Sequence, residues 1–366
     1  MKNILYIVSS FERCGPTNQL HNIINNLDKT KYRVFVITLS KEGDNSRQKD
    51  FYRLGLKHFC LNIRPRWNLF SAYLNIRKII NSIKPLIIHS QGVRADFLNS
   101  LLGKKYQKIS TIRSFPNIDY ISAYGFLKGN ILIFLHINSL KRINKNCCVS
   151  SAVQENLLAK YRISNTYVIH NSVDGNRYKP LNKIKRIDLL SSLNLNPNKK
   201  IFIFSAPLIA RKNPLFLIEV WKKFFQNFVL IIIGDGPLIN ECKKNSADFS
   251  NILILGNVYS VEKYLGIASY YISPSDGEGF PNSVLEAHSI GLPSVLSNIP
   301  PHTEIANFFG EASLNYIASS ENSLVEKINE ITKKDTSFLR KELRQKCLDF
   351  FSPKLMSKKY DDLYDC

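Results

Sequence analysis

The residues best suited to chemistry lie in one stretch: Ser273-Pro-Ser-Asp-Gly-Glu278-Gly-Phe-Pro-Asn-Ser-Val-Leu-Glu286-Ala-His-Ser-Ile-Gly-Leu-Pro-Ser-Val. An apolar strand pattern ends at Ser273, a glycine-bearing loop follows, and a helical pattern begins near Pro281 or Asn282. Proline suits the first helical turn, where its missing N–H has no partner to lose. Backbone amides at such a helix start form an anion site, and a diphosphate is a natural occupant. Glu278 falls in the loop before the helix and Glu286 just over one turn inside it, so both can flank a single ligand. A carboxylate accepts hydrogen bonds from two vicinal hydroxyls at once. Taken singly, each has a plainer reading: Glu286 as a helix surface residue, Glu278 as a charge favoured by the helix dipole. Asp276-Gly-Glu278 comes close to a metal-binding D-x-D but is not one, and no metal site is expected.

The elements that must position these residues alternate along the whole chain. Strand patterns cover 3–9, 33–39, 86–90, 109–113, 147–150 and 167–170, then 201–205, 229–234, 252–255, 270–273, 293–297 and 312–316. Amphipathic helical patterns such as 18–27, 72–83, 215–225 and 282–290 lie between them. Such alternation means βαβ units and parallel sheets. It runs twice, with a polar Lys/Asn/Pro-rich break at 177–200. The expectation is an α/β chain of two doubly wound Rossmann-like domains, 1–180 and 181–350. A last helix, 351–366, is expected to pack back on the first domain. Ligands are expected at the carboxyl ends of the strands, in a cleft between domains. With 366 residues and 44% apolar composition, two cores of ordinary size are available.

Glu278 and Glu286, within E-G-F-P-N-S-x-x-E-A, resemble the E-x7-E signature of the retaining glycosyltransferases of family 4, whose architecture is the GT-B fold. Further segments are similar in order: Ala206-Pro-Leu-Ile-Ala-Arg-Lys212-Asn-Pro, Gly234-Asp-Gly-Pro237, Gly256-Asn-Val258, Gly15 in the glycine-rich loop, Pro85-Leu-Ile-Ile-His89, and Ile169-His-Asn171-Ser-Val-Asp174. The resemblance implies transfer of a sugar from a UDP- or GDP-linked donor without metal or cofactor, as in bacterial capsule and O-antigen synthesis. It places Glu286 on the ribose, Glu278 on the transferred sugar, Lys212 on the diphosphate, and Gly279, Phe280, Pro281 and Asn282 around it, with Val258 against the base. Two departures stand out. The family's diphosphate-binding Arg falls at Pro207, so Arg211 is expected to supply that cation. A family His falls at Gln91, and His89 either takes its catalytic place or is a core histidine. The segment 111–120, with Arg113 beside Phe115 and Tyr120, resembles the acceptor side of such transferases and suits an anionic acceptor with an apolar tail.

Charge divides unevenly: the net +21 is carried almost wholly by residues 1–180, which hold 28 Lys+Arg and 9 Asp+Glu. A basic half beside a neutral one is expected to face something anionic. An anionic membrane surface is the expected partner, with a lipid-linked glycan as acceptor and no nucleic acid bound, because no nucleic-acid-binding motif accompanies the charge. Lys104, Lys105, Lys108, Lys128, Lys141, Arg142, Arg64, Arg66, Arg77 and Lys78 are the expected contacts. The seven cysteines contain no C-x-x-C pair, which fits a reducing compartment, and the longest apolar run, 131–137, is far too short to span a bilayer. The expected location is cytoplasmic, peripheral on the inner face of the membrane. A Rossmann dehydrogenase is excluded because the first strand is followed only by Gly15 and not by G-x-G-x-x-G. A sugar-nucleotide epimerase of the same fold and a catalytically weak partner subunit remain as alternatives.

Overall fold

The strands are apolar at consecutive positions rather than alternate ones. In Lys2–Val8 every residue from Ile4 onward is buried, and in Val229–Ile233 all five are. That pattern belongs to strands covered on both faces, as parallel sheets are. The computed structural model describes residues 1–63 and 69–365. In chain order its strands are β1 (Lys2–Val8), β2 (Tyr32–Thr38), β3 (Lys57–Cys60), β4 (Ile87–Gln91), β5 (Gln107–Ile112), β6 (Lys145–Cys148), β7 (Thr166–Val168), β8 (Ile201–Ser205), β9 (Val229–Ile233), β10 (Ile252–Gly256), β11 (Tyr270–Ser273), β12 (Ser294–Ser297) and β13 (Ser313–Tyr316). They form two sheets, ordered β3-β2-β1-β4-β5-β6-β7 and β10-β9-β8-β11-β12-β13, with every strand pairing parallel. Strand order reverses between β1 and β4 in the first sheet and between β8 and β11 in the second. Ligands of doubly wound sheets bind outside the carboxyl ends of the strands at such a reversal.

The chain divides into two units, Met1–Ser172 with Pro353–Cys366, and Val173–Ser352. In the first, one sheet face is covered by the helix Gly15–Asn26, through Leu20, Ile23 and Ile24, and by the helix Pro353–Asp365, through Met356, Tyr360, Leu363 and Tyr364. Ala72, Ile76 and Ile80 of the helix Leu69–Ile83 cover the other face, with Ala95 and Leu98. The last helix is also tied by polar groups: Ser357 Oγ donates to Ile23 O at 3.0 Å, and the Tyr364 hydroxyl lies 2.7 Å from that of Tyr6.

Two expected boundaries differ from the structure, and one strand was not foreseen. The boundary falls near 172 instead of 180, because residues 173–180 are tied into the second unit. Val173 N donates to Phe351 O, Ser289 Oγ donates to Tyr178 O, and Arg344 donates to both Gly175 O and Tyr178 O. The last helix begins at Pro353, since Phe351 ends the preceding helix Thr336–Phe351. Finally, β3 had no sequence signal: K-H-F-C is a short edge strand, half exposed, with Phe59 its one large apolar residue.

Candidate functional site

In the second unit, two loops meet at the β8/β11 reversal. The loop after β8 runs through Pro207 to a short 3-10 turn, Ala210–Lys212, and the loop after β11 runs from 274 to 281. The first is pinned by a close approach of glycines. Gly234 and Gly236 have φ of +141° and +156°, and a Cβ on Gly234 would lie 1.8 Å from Ala206 O. Leu208 N donates to Asp235 O and Leu238 N to Leu208 O, so the 234–236 segment holds the 206–208 segment by its backbone. Only glycine fits where two backbones come this near.

Pinned in this way, Lys212 turns inward and is buried. Its Nζ pairs with Glu278 Oε1, which also accepts from Ser275 Oγ at 2.9 Å. Arg211 reaches the same loop: Nη1 donates to Gly277 O and lies 3.9 Å from Glu278 Oε2. Burial works against the Glu278 charge, yet Lys212, His302 and Arg211 together hold its carboxyl below the usual range. Glu286 has the opposite environment. Burial pushes its carboxyl up to about 7, against a hydrogen bond from Tyr178 and the charge of Arg177, and Glu262 adds to the rise. The helix Asn282–Ile290 starts at Pro281, which contributes no side-chain cap, and Phe280 is buried against the ring of Phe351. Gly279, Phe280, Pro281 and Asn282 thus line the turn into this helix, and Val258 lies just past β10, whose Gly256 O accepts from Gly234 N. The geometry brings Arg211, Lys212 and Glu278 together. Glu286 lies one turn along the helix, within reach of Tyr178, which sequence reasoning missed because it is more than a hundred residues away.

The first unit has its own cavity at the β1/β4 reversal, about 280 Å³ in volume. Its walls come from Ser9 and Ser10 after β1, Cys14 and Thr17 at the helix Gly15–Asn26, Gln91 at the end of β4, and Arg113 after β5. Gly15 opens that helix between Cys14 and Pro16. At the far wall stands a chain of buried polar groups. Asp96 Oδ2 lies 2.9 Å from His136 Nε2, and His136 Nδ1 lies 2.8 Å from the Tyr120 hydroxyl. Asp96 Oδ1 accepts from Ser90 and Ser110 at 2.6 and 2.8 Å. Nothing in the sequence linked Asp96 with His136, forty residues on.

His89 is the site expectation the structure corrects. It is fully buried, lines no part of this cavity, and has both ring nitrogens engaged, Nδ1 with Tyr364 and Nε2 with Thr111, each at 2.7 Å. Burial, then the nearby Arg113, pushes its pKa down to about 3, so it stays neutral as a core residue that fastens the last helix. Lys108 is corrected too: it is buried, and its Nζ donates to Leu102 O. Arg64 and Arg66 lie outside the described residues. Lys104, Lys105, Lys128, Lys141, Arg142, Arg77 and Lys78 are exposed. Among the described residues, no group of three or more His, Cys, Asp or Glu side chains is arranged to hold a metal ion.

Comparison with known proteins bears on both units. Residues 14–177 match the family model for Glycosyltransferase Family 4, and residues 186–348 that for Glycosyl transferases group 1. The UDP-Gal:alpha-D-GlcNAc-diphosphoundecaprenol alpha-1,3-galactosyltransferase of Escherichia coli is 26% identical over 310 residues, 80% of this chain and 78% of that protein. The Escherichia coli O-antigen biosynthesis glycosyltransferase WclY is 24% identical over 380 aligned positions, covering 99% of this chain and 98% of its own length. Among solved structures, Anabaena HepE in complex with UDP-glucose superposes with a TM-score of 0.83 at 15% identity, covering all of both chains. A glycosyltransferase from Rickettsia africae superposes with a TM-score of 0.80 at 18% identity, covering 99% of this chain and 98% of the other.

Proposed function

Because this chain belongs to the family 4 glycosyltransferases and has their GT-B fold of two Rossmann-like domains, we propose that it moves a hexose from a UDP- or GDP-linked donor to a lipid-linked glycan acceptor in surface polysaccharide synthesis, with retention of configuration. The observation that carries this reading is the meeting of Arg211, Lys212 and Glu278 beside the start of the helix Asn282–Ile290, with Glu286 one turn along it. The donor diphosphate lies at that helix start, between its amides and the two cations, and Glu286 takes the ribose hydroxyls. Val258 borders the base. As the glycosyl bond loosens, negative charge builds on the leaving phosphate, and Lys212, already desolvated, stabilises it more than it stabilises the bound donor. No side chain in this set is placed as an obvious nucleophile, which fits a front-face displacement in which the leaving phosphate takes the acceptor's proton. Arg211 supplies the second cation that Pro207 lacks.

Acceptors with lipid tails sit at membranes, and the first unit has a suitable surface. The helix Phe126–Leu140 buries Ile133, His136 and Ile137, while Phe126, Leu127, Ile131 and Phe134 are exposed, Leu127 by 78%. Gly129 lets this helix approach its neighbour Pro116–Tyr124, since a Cβ there would lie 2.8 Å from Tyr120 O and Ile121 Cα. An apolar face bordered by Lys128, Lys141 and Arg142 suits shallow insertion in an anionic leaflet. Among the described residues no helix is long and apolar enough to cross a membrane, so attachment through this face is peripheral.

The test has two stages. Thermal shift of the full chain with UDP and with GDP identifies the nucleotide, since a ligand at a hundredfold its Kd stabilises by about 2.7 kcal/mol. The matching nucleotide hexoses are then offered with an alkyl-tailed sugar diphosphate. Labelled product on the acceptor, with its anomeric linkage matching that of the donor, is expected. Release of free sugar or an altered nucleotide sugar with no acceptor product would overturn the reading in favour of a hydrolase or epimerase.

A further inference from the structure

Within the first unit, the cavity at the β1/β4 reversal holds a cation that, among the described residues, no carboxylate balances. Arg113 donates from Nη1 to Asn171 Oδ1 at 2.9 Å and from Nη2 to Gln91 Oε1 at 3.1 Å, both neutral amides. Burial lowers its proton affinity, and among the described residues the groups that raise it are Tyr360, Cys14 and Cys147, a phenol and two thiols. Asp96, the carboxylate on the cavity wall, is taken by His136, Ser90 and Ser110. Two buried donors here, the guanidinium's own Nε and the amide Nε2 of Gln91, have no hydrogen-bond partner among the described residues. A desolvated charge without a counter-ion is costly, and folds keep one where a ligand supplies the opposite charge.

The shape narrows the ligand. The cavity rim carries small donors, the hydroxyls of Ser9, Ser10 and Thr17, with the helix Gly15–Asn26 starting between them. Donors and a cation without an available carboxylate select an anion. A guanidinium held flat by two amides presents its fork to a phosphoryl group. At about 280 Å³ the cavity lies at the lower end of small-molecule sites, which run from about 300 Å³, so it takes one phosphoryl or sugar-sized group and not a whole nucleotide.

We propose that this cavity is a phosphoryl subsite for the acceptor, in which Arg113, held by Gln91 and Asn171, is the counter-ion to the phosphate next to the sugar that is glycosylated. The proposal rests on the glycosyltransferase reading and adds to it the residue and cavity that recognise the acceptor's phosphate. The same chemistry could come from the donor diphosphate, so the experiment must separate the two sources.

The full-length protein is compared with Arg113→Gln and Arg113→Lys in two assays. The first needs no turnover: inorganic pyrophosphate is titrated by thermal shift with the second unit's site saturated by the nucleotide found to bind there. Wild type is expected to be stabilised and Arg113→Gln not, with Arg113→Lys between them. The second measures kinetics with an alkyl-linked sugar diphosphate and with the same sugar as a neutral alkyl glycoside. The preference for the phosphorylated acceptor is expected to fall at least about tenfold in Arg113→Gln, through acceptor KM and not donor KM. A pyrophosphate response equal in all three proteins, or an equal loss on both acceptors, would overturn the proposal. So would a change confined to donor KM, which assigns Arg113 to the donor diphosphate. Failure of every donor to transfer sugar would count against the function itself, while leaving the pyrophosphate result to decide the subsite.

Discussion

Replacing Glu286 with Gln removes a charge from a place where the fold resists one. Burial lifts this carboxyl from 4.5 to about 7, although the Tyr178 hydroxyl and Arg177 favour its ionisation. A carboxyl whose folded pKa exceeds its unfolded one holds its proton more tightly in the native state. Its cost to stability is therefore absent below pH 4.5, grows between 4.5 and about 7, and is complete above that. The rise corresponds to about 3 kcal/mol at most. Solvent reaches part of the side chain, which reduces this to about 1–2 kcal/mol. Gln keeps an acceptor for Tyr178 but cannot ionise. At about 2–4 °C per kcal/mol for a unit of this size, Glu286→Gln should melt about 2–8 °C higher than wild type at pH 8 and together with it at pH 4.5. Nucleotide binding should move the other way. Losing a charged acceptor of ribose hydroxyls costs about 1.5–3 kcal/mol, roughly ten- to 150-fold in Kd. Calorimetric melting across pH 4.5–8 and titration with the bound nucleotide measure both. A melting difference that does not change with pH would refute the account of burial, and an unchanged Kd would refute the ribose assignment.

Lys212→Ala leaves the buried Glu278 carboxylate with the Ser275 hydroxyl and, as its remaining cation among the described residues, Arg211 3.9 Å away; urea denaturation should show a loss of about 3 kcal/mol or more, partly recovered by adding Glu278→Gln. Tyr364→Phe removes the hydroxyl shared by His89 and Tyr6; a loss of about 1–3 kcal/mol is expected in the same assay, with the donor KM unchanged, because this network belongs to the core of the first unit. Replacing Phe126, Leu127 and Ile131 together with Ser should abolish co-sedimentation of the full chain with anionic vesicles at 0.1 M salt. Retention of binding would show that this face is not the membrane contact.

How far the sequence could be read followed the range of each interaction. Central strands announce themselves because burial on both faces demands runs such as V-L-I-I-I, a local pattern. β3 escaped because K-H-F-C, at a sheet edge, has no apolar run. Glu278 and Glu286 were legible because the loop and the helix that carry them are consecutive in the chain. What was not legible depends on sheet topology. Asp96 meets His136 because the helices Val93–Ser100 and Phe126–Leu140 pack together, and Arg113 meets Gln91 and Asn171 because all three lie at or just beyond the carboxyl ends of strands β5, β4 and β7 of one sheet. His89 was ambiguous for the same reason: its hydrogen-bond partner Tyr364 comes from the last helix, 275 residues away.

The two glutamates of the motif are eight positions apart and are driven in opposite directions. Glu278 is kept ionised by Lys212, His302 and Arg211, while Glu286 is held near half-protonation at neutral pH. Groups whose environments push their pKa values apart have divided their roles. The charge of Lys212 is already balanced by Glu278, so on the proposed donor site an arriving diphosphate would compete for that cation. If Lys212 turned toward an anion at the start of the helix Asn282–Ile290, the proposed Glu278 contact to a sugar hydroxyl would take the place of the ammonium. At Glu286, ribose hydroxyls that donate to the carboxylate would favour its ionised form. Nucleotide binding should therefore release a fraction of a proton near pH 7, measurable as a buffer-dependent heat of binding. The release should vanish in Glu286→Gln and persist in Arg211→Ala. Release that survives the Gln variant would place the titrating group elsewhere.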